Sequence, residues 1–226
     1  MHNFGVLVPP TNTTAEDDYR QLLPPSLKAF VGRVPLLLPG DSFDELDVQA
    51  GMLARSGVEV VSLMQTTASL DSGDLDEIAI ERMGKAAGVP AVTASQAIGQ
   101  AVRALGARRI ALLAPVAVSV LEREKHHYEH KYGLEAVALE SFSAADGPET
   151  VRDAMARIDR PETEVMIVRG GGSVPTMAFI SAWEDEFGKP VITPNQALIW
   201  AMLDVMKADE RLPGLGRLLG ERPPRI

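Results

Sequence analysis

The chain has 226 residues, 46% of them hydrophobic, enough to bury a full core as one domain or two small ones. A formal net charge of −9 excludes a broad nucleic-acid surface, because phosphate binding needs clustered Lys and Arg. The absence of cysteine excludes disulfides, thiolate metal ligands and thiol catalysis.

Apolar or β-branched runs alternate along the chain with stretches of helical spacing. FGVLVP and AFVGRVPLLL read as the first two strands, DELDVQAGMLARSG as a helix and VEVVSLM as the third strand. LDEIAIERMGKAAG and PAVTA supply the next helix and strand. Then come RRIALLAP, VLEREKHHYEHKYG, LEAVALE, ETVRDAMARI, TEVMIVRG, MAFISAWEDEFG and KPVITP, in strict strand and helix alternation. Most of the helical stretches end in Gly, the usual helix stop. The pattern predicts eight strands with crossover helices, a parallel α/β fold. The tail from Leu212 to Ile226 has no period and is expected to pack on the first lobe or to pad an oligomer interface, which leaves a homo-oligomer open. No run approaches the roughly 20 apolar residues of a membrane span, and Met1-His2-Asn3 lacks the basic start of a secretory signal, so the cytoplasm is expected.

The sequence repeats itself. Gly88 to Ile98 matches Gly188 to Leu198 at an offset of 100 residues, with Gly, Pro, Thr, Gln and Ala in register. Glu59 to Thr67 pairs with Glu164 to Gly172, and FGVLVP with IALLAP, ending at Pro9 and Pro115. Three matches in one order predict two related lobes of about four strands, residues 1–95 plus 197–226 and residues 96–196. Parallel sheets bind ligands beyond the carboxyl ends of their strands, so 9–14, 65–69, 115–119 and 170–173 are expected to converge on one cleft, with Gln65 and Gly170 facing each other.

Four motifs carry chemistry. Pro9-Pro10-Thr11-Asn12-Thr13-Thr14-Ala15-Glu16 joins a strand to a helix and reads as a carboxylate cradle, with Asn12 foremost and Thr11 beside it, or as a plain helix cap. Thr66 and Thr67 follow the third strand, where hydroxyls and amides make an oxyanion hole, or a polar turn into Asp71-Ser72-Gly73. Gly170, Gly171, Gly172 and Ser173 form a glycine run whose N–H groups suit an anion nest, or a flexible turn. Arg169 interrupts an apolar strand and fits a substrate carboxylate or a structural Asp or Glu. Asn195 begins a helix between the lobes, as a cap or a secondary substrate contact. His126, His127 and His130 crowd a charged helix that reads as a solvated face, so no metal is expected.

These residues resemble the aspartate/glutamate racemase superfamily over nearly the whole chain. The opening GVLVPPTNTTAEDDYRQLLP is similar to the maleate isomerase opening, whose asparagine binds substrate carboxylate and maps to Asn12. VEVVSLMQTTASL is similar to the arylmalonate decarboxylase segment of the dioxyanion hole, which maps to Thr66 and Thr67, with Gly171 and Gly172 in the second wall. The resemblance implies a pseudo-twofold pair of α/β lobes with the active site between them. The family's two cysteines map to Gln65 and to Gly170 or Gly171, and its pocket tyrosine falls in the segment 115–118; all three are replaced here.

Without those thiols, two-base racemisation and thiol-addition isomerisation fall away, while decarboxylation survives better, since it needs an oxyanion hole and a proton. The expected function is a cofactor-independent lyase or isomerase acting on a small mono- or dicarboxylate through an oxyanion-stabilised intermediate. The alternatives are a catalytically silent carboxylate-binding homologue, or a hydrolase or hydratase that activates water. Asp17, Ser69 and Ser173 are the candidate proton donors.

Overall fold

A computed structural model of the chain describes residues 1–38, 40–70 and 73–225, so Pro39, Asp71, Ser72 and Ile226 lie outside the described residues. The first sheet is built from β1 (His2–Val8), β2 (Leu27–Arg33), β3 (Val60–Leu63) and β4 (Ala91–Thr93), all parallel, in the order β2-β1-β3-β4. The second uses β5 (Arg109–Ala114), β6 (Glu135–Ser141), β7 (Val165–Val168) and β8 (Val191–Ile192) in the equivalent order β6-β5-β7-β8, again parallel. The repeat in the sequence is therefore a repeat of topology. Between the strands run α1 (Ala15–Leu22), α2 (Asp44–Ala54), α3 (Leu75–Ala87), α4 (Ala94–Ala104), α5 (Val118–Tyr132), α6 (Pro148–Ile158) and α7 (Ile180–Phe187); α8 (Pro194–Val205) and α9 (Gly216–Glu221) close the chain.

Parallel strands covered on both faces read as continuous apolar runs, and β1 shows why. Phe4, Val6 and Val8 face one core while Leu7 faces a second one under α2 and α3. The larger core does not stop at the junction: it runs from Phe4 through Ile98 and Trp200 to Leu219. At the junction, α4 and α8 start on equivalent threonine caps. Thr93 and Thr193 stay extended, and each side chain accepts from the N–H of Gln96 or Gln196, at 3.4 and 3.3 Å. Each preceding helix ends on a left-handed glycine, Gly88 at φ 68° and Gly188 at φ 67°. α8 packs on α4 and on β3 and β4 of the first sheet, so the last long helix returns to the first lobe.

Three expectations need correction. AFVGRVPLLL is not one strand: β2 ends at Arg33, opposite Val8 at the end of β1, and Pro35 has no N–H to extend a ladder. Residues 34–38 instead form a strap that buries Leu37 and leaves Leu36 and Leu38 exposed. The VLEREKHHYEHKYG helix is solvated on one face only: His126 and His130 are exposed as expected, but Leu121, Glu124, His127 and Tyr128 of α5 are buried. The tail does not rest on the first lobe alone: α9 lies against α7, α8 and β8, while Trp200 Nε1 donates to the Pro223 carbonyl at 2.9 Å and Arg225 reaches Gln96 and Gln100. No helix among the described residues is long and apolar enough to cross a membrane.

Candidate active site

Beyond the carboxyl ends of β1, β3, β5 and β7 lies a cavity of about 410 Å³. Thr11, Asn12, Gln65, Thr66, Thr67, Arg169, Gly170, Gly171, Gly172, Ser173 and Asn195 all line it, with Pro9, Pro10, Leu36, Met64, Pro115, Val116 and Pro194. A roomier groove of about 650 Å³ lies against the edge strand β2 and is lined by α1 residues and by Pro24 and Pro25. The smaller cavity is the better candidate, because loops of both lobes bring hydrogen-bond donors to it.

Asn12 combines both readings of its motif. Its Oδ1 accepts from the N–H groups of Thr14 and Ala15, at 3.3 and 3.1 Å, and so caps α1. That bond fixes the amide orientation, and Nδ2 is left with only the weak acceptor Sδ of Met64 at 3.3 Å. The strand-end loops are stitched together across the junction. Thr13 N–H donates to the Gly172 carbonyl at 2.9 Å, and the Thr14 hydroxyl donates to the Gly171 carbonyl.

The carbonyls of Gly171 and Gly172 are thereby engaged, and Ser173 and Val174 N–H bond the Gly170 carbonyl at 2.9 and 3.0 Å. Among the described residues, no hydrogen bond takes up the N–H groups of Gly170, Gly171, Gly172, Thr66 or Thr67. Five main-chain donors therefore belong to cavity-lining residues and are unused by the fold. Adjacent unpaired N–H groups make an anion nest, and a buried one left without a partner is costly.

Of the two readings of Arg169, the structure has the pairing with a protein carboxylate rather than a bidentate grip held open for a substrate. Its Nη1 pairs with Glu124, Nε donates to Thr66 Oγ1 at 3.0 Å and Nη2 to Thr67 Oγ1 at 2.8 Å. Both partners of the ion pair are buried, and burial pushes the Glu124 carboxyl above its ordinary value against the opposing pull of Arg169. Gln65 likewise spends its amide on the protein. It accepts from Leu37 N–H at 2.9 Å and donates to the Pro35 carbonyl at 2.8 Å, so it ties down the strap rather than facing Gly170 across a ligand.

The backbone is crowded at Gly170 and Gly171. Gly170 sits at φ +100°, and a side chain there would meet Pro115 Cδ at 2.7 Å. At Gly171 it would meet Asn195 Oδ1 and Thr176 Oγ1, each at 3.1 Å. Behind that point Asn195 Nδ2 donates to Asp18 at 3.2 Å, and burial raises the Asp18 carboxyl to about 6.

Of the candidate proton donors, Asp17 is on the surface with Arg20, and Ser69 is buried and donates to Asp76 at 2.8 Å. Of these three, Ser173 lines the cavity, where Arg169 is the single charged side chain among the described residues. His127 is buried against Ser95 at 3.2 Å, with its basicity lowered by desolvation.

Sequence reasoning missed Glu124, Asp18, Met64 and Thr176. Glu124 had a signal: Leu121, Glu124 and Tyr128 fall on one helical stripe, and Arg169 in an apolar strand demanded a carboxylate.

The sequence matches the family described as arylmalonate decarboxylase over residues 5–219. It is 29% identical to arylmalonate decarboxylase of Bordetella bronchiseptica, over 96% of this chain and 96% of that protein. Unliganded arylmalonate decarboxylase superposes with a TM-score of 0.83 at 25% identity, covering 98% of this chain and 100% of the other. The maleate isomerase Iso from Pseudomonas putida S16 shares the fold, with a TM-score of 0.82 at 22% identity and coverage of 98% and 99%.

Proposed function

The chain belongs to the arylmalonate decarboxylase family, and from that premise we propose a cofactor-independent, cytoplasmic enzyme that decarboxylates a small malonate-type dicarboxylate. The observation that carries this reading is the set of unused donors around one cavity: five N–H groups, two threonine hydroxyls and the Asn12 amide. Loss of CO₂ from one carboxylate leaves its electron pair on the central carbon, delocalised onto the remaining carboxylate as an enediolate. Donors fixed beforehand where that charge develops lower the barrier without reorganisation. One proton then closes the sequence at carbon. Since Arg169 is the only charged side chain lining the cavity among the described residues, we assign that proton to water, with the Ser173 hydroxyl beside it.

Asn12 Nδ2 serves the carboxylate that stays, and Pro9, Leu36, Met64 and Val116 offer apolar contact to the rest of the substrate. Isomerisation by thiol addition is not part of this proposal, because the chain has no nucleophilic sulfur. The experiment is proton NMR of phenylmalonate and maleate with the purified protein in D₂O. Appearance of phenylacetate carrying one deuterium at carbon supports the reading, and its complete absence with bound phenylmalonate refutes turnover.

A second reading, a carboxylate binder without turnover, is favoured by one observation: Gln65 spends its amide on the strap and a side chain at Gly170 would meet Pro115, so neither position carries an acid or base. That reading predicts saturable binding of the same acids with no deuterium exchange. A hydrolase or hydratase would call for a carboxylate in the cavity lining, and among the described residues the lining has none.

A further inference from the structure

We infer that Glu124 and Arg169 form a positioning pair that fixes the rotamers and hydroxyl directions of Thr66 and Thr67 from the opposite lobe. The inference rests on the reading that those hydroxyls hold an oxyanion, and it names the machinery behind them.

Arg169 follows β7 of the second sheet, whereas Thr66 and Thr67 follow β3 of the first. Nε and Nη2 form one edge of a planar guanidinium, so two parallel donors meet two adjacent threonines, at 3.0 and 2.8 Å. The remaining end, Nη1, is taken by Glu124 of α5. All three nitrogens are directed by protein partners, and the side chains are only 6% and 1% exposed.

The direction of donation matters. Each threonine oxygen accepts from Arg169, so each hydroxyl hydrogen must turn to a different acceptor. None is present for either hydroxyl among the described residues, which leaves both hydrogens for a ligand oxygen. Glu124 completes the device in two ways. It holds the guanidinium plane, and it cancels a charge that would otherwise be buried unpaired. The cavity then meets an anion with oriented dipoles, and Arg169 acts through the threonines.

The test uses the full chain with threonine labelled in ¹³C and ¹⁵N. Three-bond couplings to Cγ2 report the χ1 angle of each threonine with no ligand added. The wild type should show one rotamer at Thr66 and at Thr67. Arg169→Lys, which cannot serve three partners in one plane, and Glu124→Ala should average both, while the buried Thr163 and Thr176 stay unchanged and certify the fold. Glu124→Gln keeps an acceptor for Nη1 and should restore the single rotamers. Unaltered couplings in Arg169→Lys would overturn the inference.

Phenylmalonate titrations supply the second arm. Arg169→Lys should weaken binding on the order of tenfold or more, and in a Thr66→Val/Thr67→Val background it should cost nothing further. Additive losses would mean that Arg169 meets the anion directly, which also overturns the inference. If the wild type binds no carboxylate, the functional reading fails by itself, and the couplings still decide whether the pair positions the threonines.

Discussion

Asn12 holds two jobs in one amide, and substitution can separate them. Asn12→Asp retains the oxygen that caps α1 but replaces the Nδ2 donor with negative charge. It should bind carboxylates at least tenfold more weakly, by calorimetry, with a melting temperature close to wild type. Asn12→Ala removes the cap as well and should lose about 1 kcal/mol of stability in urea unfolding. Asp18 offers a pH test. Its folded carboxyl keeps its proton to about 6, against an ordinary value of 3.8. Between those values the native state binds more protons than the unfolded state, so stability falls as pH rises through that window. Asp18→Asn keeps an acceptor for Asn195 and removes the penalty. It should be more stable than wild type by about 1 kcal/mol at pH 7.5, after discounting for solvent screening, with no difference near pH 3.5.

At the scale of elements, the middle of the strap over residues 34–38 is held by the Gln65 side chain, and its end by Asp41, which accepts from Leu38 N–H at 2.8 Å. Gln65→Ala deletes both of its main-chain bonds, and the Leu37 amide should then exchange with solvent on the order of tenfold faster in native-state hydrogen exchange. The remaining backbone of β3 should keep its protection. The eight strands were legible in the sequence as short apolar runs: the central β1, β3, β5 and β7 are buried along most of their length, and the edge strands β2 and β6 are half-buried. The end of β2 was not legible in AFVGRVPLLL, since composition is apolar to Leu38 while β1, which sets the ladder length, stops at Val8. The charged helix misled for a related reason. Whether Glu124 is wet or dry depends on an arginine 45 residues away in sequence, which local periodicity does not contain. The cavity residues were legible because the internal repeat placed four strand ends together. Their bonding was less so: Gln65 and Arg169 line the cavity as expected, yet their polar atoms serve the protein.

The whole molecule consists of two equivalent sheets that share one continuous core. That shared core couples the two lobes, while the first keeps a second cluster under α2 and α3, and calorimetry should record a single transition whose van't Hoff and calorimetric enthalpies agree. Two resolved transitions would show that the lobes melt independently. The stitching of Thr13 and Thr14 to the carbonyls of Gly172 and Gly171 adds a mechanical consequence. Spreading the cleft breaks these bonds first, so the spacing of the two walls behaves like the jaws of a locked caliper. A substrate is then gauged by a fixed gap, and variants that admit bulkier acids are to be sought at Leu36 on the strap, where a side chain can be shortened without unlocking the jaws.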